Sequence, residues 1–196
     1  MYARPEELTH FIDVAHELFR SHALPDPARQ LAVKVFERIG QPSDDGKRHA
    51  RRYPACALLD AALAPLLDAR SQLTVAARAI KALEPCIGWQ RRTSGANGSD
   101  GYIDGHVHGM ICGPGGMESR YDIQLGFSLL APRTRYPDHQ HPPEEAYVLL
   151  SAGQFRQADG DWFDPGIGGG LYNSRNLVHA MRSGDTPLLA LWCLLV

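Results

Sequence analysis

The sequence predicts a mainly β chain with an α-helical N-terminal half: a layer of helices covering a double-sheet jelly-roll barrel. Two observations carry this. Up to about residue 88, apolar residues recur every three and four positions between Pro and Gly breaks, the period of amphipathic helices. From Gly101 onward the chain turns to short apolar runs with turn punctuation about every eight to twelve residues, the pattern of a β-sandwich or barrel. The expected division is a helical region over 1–88 packing on a barrel over 101–196.

From Glu6 to about His22, the residues Leu8, Phe11, Ile12, Ala15, Leu18 and Phe19 form one apolar stripe, the first helix. Pro25-Asp26-Pro27 breaks it and starts a second, carried by Leu31, Val33, Val35, Phe36 and Ile39 to a stop at Gly40. Gln41 to Arg52 is polar, and its basic run (Lys47, Arg48, His49, Arg51, Arg52) reads as a solvated face rather than a binding patch. Pro54 to Ala69 gives a third helix and Ser71 to Leu83 a fourth, with Ser71 as N-cap. Arg91 to Asp100 reads as a linker. Strands are expected over Tyr102 to Ile111, Tyr121 to Ala131, Glu145 to Ser151, Gly153 to Gln157, Leu177 to Met181 and Leu188 to Leu195. Gly166 to Gly170 is glycine-rich enough to suggest a phosphate loop, but no Lys-Ser/Thr follows it, so a plain loop is expected.

A chain of 196 residues can bury one sizeable core. A formal net charge of −2 without any basic block argues against nucleic acid or an anionic membrane surface as partner. Cys56, Cys86, Cys112 and Cys193 form no CxxC pair, and Pro5-Glu6-Glu7 interrupts the place of a signal-peptide core. Free thiols and a cytoplasmic location are the expectation. No apolar run is long enough to span a bilayer. An apolar helical layer on a small barrel allows a homodimer.

The chemistry concentrates in Tyr136-Pro137-Asp138-His139-Gln140-His141-Pro142-Pro143-Glu144-Glu145-Ala146-Tyr147. His139 and His141, two apart, leave the same face of an extended segment. Pro142-Pro143 turns the chain, and the returning strand carries Glu145 and Tyr147 on one face. His179, inside a later apolar run, offers a third imidazole. Three imidazoles and a carboxylate suit one divalent transition metal, zinc or iron(II) first, with manganese, nickel or cobalt also compatible. The competing reading is a solvated hairpin whose histidines face water. The strongly apolar flanks argue against it, because they would bury the inward-facing members.

These residues resemble the first cupin motif, G-x5-H-x-H-x3,4-E-x6-G: His139, His141 and Glu145 fit, and Gly153 falls one residue late. His179 supplies the ligand of the second motif, whose proline, glycine and asparagine do not fit. The whole ensemble is similar to the cupin-type dimethylsulfoniopropionate (DMSP) lyases of bacteria. Beyond the helical first half, the likeness rests on Leu130-Ala131-Pro132 before Tyr136, on Glu144-Glu145-x-Tyr147, and on His179-Ala180-Met181-Arg182 followed by Pro187 to Trp192. The resemblance implies a cupin double-stranded β-helix in which His139, His141, Glu145 and His179 hold the metal. It also implies that Tyr147 and Tyr136 are the acid/base candidates of a β-elimination giving dimethyl sulfide and acrylate.

Residue chemistry agrees. A proton α to a carboxylate is weakly acidic, so a cation that stabilises the charge developing on that carboxylate helps to remove it. A sulfonium cannot donate hydrogen bonds and is held by aromatic faces, for which Trp162, Tyr172, Phe127 and Trp192 are candidates. Arg182 is a candidate for the carboxylate end or for a structural ion pair. His106-x-His108 reads as ordinary strand residues that could line the pocket. The rival readings are a related cupin acting on another small carboxylate or a sugar, and a non-catalytic ligand-binding cupin.

Overall fold

The computed structural model describes residues 2–46, 49–68, 71–92 and 98–196. Lys47 and Arg48 of the basic run, Ala69 at the expected end of the third helix and residues 93–97 of the expected linker lie outside them. Four helices form the N-terminal layer: α1 (Glu6–Phe19), α2 (Asp26–Ile39), α3 (Leu59–Leu67) and α4 (Gln72–Leu83). Their starts follow local chemistry. Pro27 lies in the first turn of α2, where a missing N–H costs nothing. Ser71 caps α4, and Thr74 Oγ1 accepts the Ser71 N–H at 3.3 Å. Pro54 opens a 3-10 turn (Pro54–Leu58) before α3, so the third helix begins later than its composition suggests. The whole apolar stripe of α1 is buried. On α2, Val33 faces solvent while Leu31, Val35, Phe36 and Ile39 are buried.

Among the described residues there are ten strands, in chain order β1 (Asp44–Asp45, between α2 and α3), β2 (Trp89–Gln90), β3 (His106–Cys112), β4 (Glu118–Ser119), β5 (Ile123–Leu130), β6 (Glu144–Leu149), β7 (Gln154–Gln157), β8 (Gly170–Asn173), β9 (His179–Arg182) and β10 (Leu188–Leu195). Where a strand is expected from Tyr102, the chain instead makes one helical turn, α5 (Tyr102–Gly105), and β3 starts only at His106. The glycine-rich stretch turns through positive φ at Gly166 and Gly168 and then enters β8. It is a strand entry and not a phosphate loop. The larger sheet runs β1-β4-β3-β5-β10-β6-β8 with β2 on β3; β7 and β9 form a second, antiparallel pair.

The large sheet has two buried faces. On β5 and β10, Leu125, Phe127, Leu129, Leu189, Leu191 and Cys193 pack into one core with the helices. The alternate residues, including Leu130, Ala190, Trp192 and Leu194, form an inner core with Leu149 of β6 and with Phe155 and Met181 of the facing pair. Antiparallel sheets closed around an inner core make a mainly β jelly-roll barrel with an α-helical half laid on its outer face, as expected. Among the described residues no helix is long and apolar enough to cross a membrane.

Candidate metal centre

Four side chains converge between the sheets. The segment after Tyr136 is not a regular strand; it runs alongside β9 by isolated bridges. His139 N–H donates to His179 O at 3.0 Å and His179 N–H to His139 O at 2.9 Å, so backbone pairing sets the two imidazoles side by side, with ring centroids 4.1 Å apart. His141 is tied by its carbonyl, which accepts the N–H of Asn176 at 2.9 Å. Asn176 sits at φ +56°, a left-handed turn position that asparagine tolerates. One ligand nitrogen from each of His139, His141 and His179 lies within 4.8 Å of the others. Glu145, on β6, places Oε2 3.2 Å from the Nε2 atoms of both His141 and His179.

The tautomers are set locally. Nδ1 of His139, His141 and His179 each faces a backbone carbonyl two residues away: Pro137 at 3.0 Å, Pro143 at 2.9 Å and Leu177 at 2.8 Å. A carbonyl only accepts, so each Nδ1 carries a proton, and Nε2 is the atom that each ring can turn to a cation. The contact of His179 Nε2 with Glu145 is off-line, and this buried nitrogen has no hydrogen-bond partner. An orphaned lone pair among two other imidazoles and a carboxylate fits a bound divalent cation. Burial, and then the neighbouring His179, hold the His139 imidazole down to about 4, keeping it neutral. Burial alone would raise the Glu145 carboxyl, but His141 and His179 bring it down to about 2, keeping it ionised. Asn173, fully buried on the adjoining β8, donates to Glu145 Oε2 at 3.3 Å, and Gln157 donates to Asn173 Oδ1 at 2.7 Å.

Both tyrosines stand beside this cluster in a cavity of about 160 Å3. Tyr147 is on the inner face of β6, opposite Trp192 in register, with its ring 5.2 Å from Phe155. Tyr136 lies 4.6 Å from His139, ring to ring. Burial raises both phenols, Tyr147 with the added effect of the Glu145 charge, while Arg92 and Tyr102 oppose the rise at Tyr136.

Of the aromatic candidates for a cationic head, Trp192 alone lines the cavity. Phe127 is on the other face of β5, its ring 5.2 Å from Phe11 of the helical layer. The Tyr172 hydroxyl donates to Glu144 at 2.8 Å, away from the cavity. Trp162 sits outside the small sheet, beneath the guanidinium groups of Arg135, Arg156 and Arg182. Arg182 is spent there: strand alternation on β9 points His179 and Met181 inward and Arg182 outward, 4.3 Å over Trp162 and bonded to Gln154. The cavity gains residues that the motifs do not reveal, namely Arg92, Met110, Gln124 and Ser128, together with the pair His106 and His108. Period-two spacing could have placed His106, His108 and Met110 on one face. Arg92 comes from outside any regular element and leaves no signal.

A jelly-roll barrel with three imidazoles and a carboxylate between its sheets, next to two phenols lining one cavity, is a cupin whose histidine cluster could hold a metal. Residues 28–190 match the family described as dimethylsulfoniopropionate lyase, and the chain belongs to that family. It is a carbon–sulfur lyase of the cupin type. The fold agrees with two solved structures. One, described as DMSP lyases RdDddP and RnDddQII, aligns with a TM-score of 0.71 at 20% identity, covering 97% of this chain and 92% of that one. The DMSP lyase DddQ from Ruegeria pomeroyi DSS-3 aligns with a TM-score of 0.69 at 20% identity, covering 96% and 92%. No curated protein sequence matches the chain.

Proposed function

We propose that the chain cleaves DMSP to dimethyl sulfide and acrylate with one divalent transition metal held by His139, His141, His179 and Glu145. Zinc or iron(II) suits this donor set first, and manganese, nickel and cobalt are compatible with it. The observation that carries the reading is the convergence of three imidazoles, each with Nδ1 engaged by a backbone carbonyl and Nε2 left for a ligand, beside two buried phenols. When bound, the ion supplies Lewis-acid charge that stabilises the negative charge developing on the substrate carboxylate and favours phenolate over phenol nearby.

Tyr147 is the base. Its oxygen takes the proton from the carbon α to the carboxylate, and that C–H electron pair becomes the new carbon–carbon double bond. The C–S bond breaks with its pair on sulfur, which leaves as neutral dimethyl sulfide. Tyr136 supplies the second phenol, and the burial of Tyr147 limits the access of bulk water to the base. The lining favours a sulfonium over a sugar: Trp192, Met110, Met181 and Leu194 offer polarisable, apolar surface, and among the described residues no Asn or Asp lines the cavity.

The test is metal-loaded protein with millimolar DMSP, sampled for headspace dimethyl sulfide and dissolved acrylate. Equal amounts of both are expected, with a loss of about 100-fold or more in kcat for Tyr147→Phe at unchanged metal content. Absence of dimethyl sulfide from the wild-type reaction refutes the substrate assignment.

A further inference from the structure

We infer that Arg92 and His106 form an anion subsite beside Tyr136, which captures the substrate carboxylate on entry, ahead of the proposed cation, and so sets which way round a zwitterion enters the cavity. This deepens the lyase reading and rests on it. β2 pairs with β3 through Trp89–Gly109 and Gln90–His108, and continuing that antiparallel register carries Arg92 toward His106. The Arg92 guanidinium lies 5.6 Å from the centroid of the Tyr136 ring. It has no carboxylate partner among the described residues. An arginine lining a cavity with its charge uncompensated is a ready-made partner for an anion.

His106 points the same way for a different reason. It is 1% exposed, it lines the cavity, and neither ring nitrogen has a hydrogen-bond partner. Its ring is stacked between Tyr102 (centroids 5.3 Å apart) and His108 (5.9 Å), and Tyr136 meets it edge-on at 4.8 Å. A neutral imidazole always has one N–H, and a buried N–H without an acceptor is costly. A carboxylate oxygen in the cavity would satisfy it. Burial keeps this ring neutral, so the positive charge at this end is that of Arg92.

The other end has the opposite character. Trp192 lies two rungs along the sheet from His106, in the row Met110–Gly126–Trp192. Its indole is packed over Gly126, where an added Cβ would fall 2.5 Å from the ring, and its N–H is tied to Ser128 Oγ at 3.1 Å. That fixes a π-face for a cation. A cationic donor end and an aromatic end accept a β-sulfonio carboxylate in one orientation only.

The probes are sodium acrylate, a carboxylate without the sulfonium, and trimethylsulfonium, a sulfonium without the carboxylate. Both are titrated calorimetrically into metal-loaded protein. Arg92→Ala should weaken acrylate at least 10-fold and Arg92→Lys less, while trimethylsulfonium binding stays within twofold. His106→Phe, which keeps the ring stack but removes the N–H, should weaken acrylate several-fold. KM for DMSP should rise in step, with kcat changed only a few-fold. An acrylate dissociation constant unchanged within twofold in Arg92→Ala, or no acrylate binding to wild type at millimolar concentration, overturns the subsite. Arg92 is exposed, so its variants decide the matter even if His106→Phe fails to fold. Acrylate titration does not depend on turnover, so failure of the subsite and failure of the lyase reading are read separately.

Discussion

A histidine whose ring nitrogen meets a carbonyl two residues away in its own chain needs no distant partner to choose its tautomer. His139, His141 and His179 all use this device, with Pro137, Pro143 and Leu177 as acceptors. Such information is local, which is why spacing and neighbouring prolines reveal these three residues and Glu145 before any fold is known. The supports of Glu145 are not local. Asn173 reaches it only because β8 pairs with β6 in the register Glu145–Asn173, and Gln157 reaches Asn173 from the other sheet. Arg92 is hidden for the same reason, whereas His106 and His108 show as a pair that could line the pocket. Removing the amide should be felt at the metal: Asn173→Ala is expected to lower affinity by about 10–100-fold, the usual cost of losing a partner that orients a ligand. Chelator competition measures this, and an affinity unchanged within twofold would show that Asn173 does not orient Glu145.

At the scale of elements, the difficulty is a strand buried on both sides. Ile123–Leu130 reads Ile-Gln-Leu-Gly-Phe-Ser-Leu-Leu, with every residue but Gln124 buried. Alternation is erased by burial on both faces, and a one-residue error in facing exchanges the two sets. Phe127 is therefore an attractive pocket residue on paper, yet it packs against the helices, while the small residues Gly126 and Ser128 face the cavity. Gly126 has a packing reason to be glycine. A Cβ there would lie 2.5 Å from Gly109 O and from the Trp192 indole. Gly126→Ala should destabilise the fold by about 1–3 kcal/mol, as overpacking does, and should shift the Trp192 emission. A melting temperature equal to wild type would mean that the indole is free to move aside, contrary to the fixed aromatic wall described above. β8 is missed for another reason: it opens on Gly170, the last residue of a glycine run that reads as loop, and only pairing with β6 makes it a strand.

At the scale of the molecule, the helices cover a sheet face that would otherwise be open apolar surface, and the two parts share one core. We propose that residues 1–88 and 101–196, although distinct in pattern, are one folding unit. Periodicity reveals both halves; how they join does not show in sequence, because it rests on charges far apart in the chain. Glu118, wholly buried, accepts from Arg4 at 2.7 and 3.0 Å and from Arg120 at 3.1 Å. Arg4 also donates to Ile39 O and Arg120 to Gln41 O, both at 2.7 Å, which ties the chain start and the end of α2 to the sheet edge. Glu118→Ala would leave the buried Arg4 guanidinium without its anion, while Arg120 keeps Asp122, at a cost of about 3–5 kcal/mol. Urea unfolding should show that loss in a single transition; two separated transitions would mean that the halves fold independently.

The proposed function needs one cation held between two sheets. X-ray absorption of protein loaded with zinc tests that most directly. The expected spectrum has three imidazole nitrogens and one carboxylate oxygen at about 2.0–2.2 Å, losing one imidazole in His179→Ala. A shell without imidazole scattering, or one unchanged by that substitution, would contradict the site.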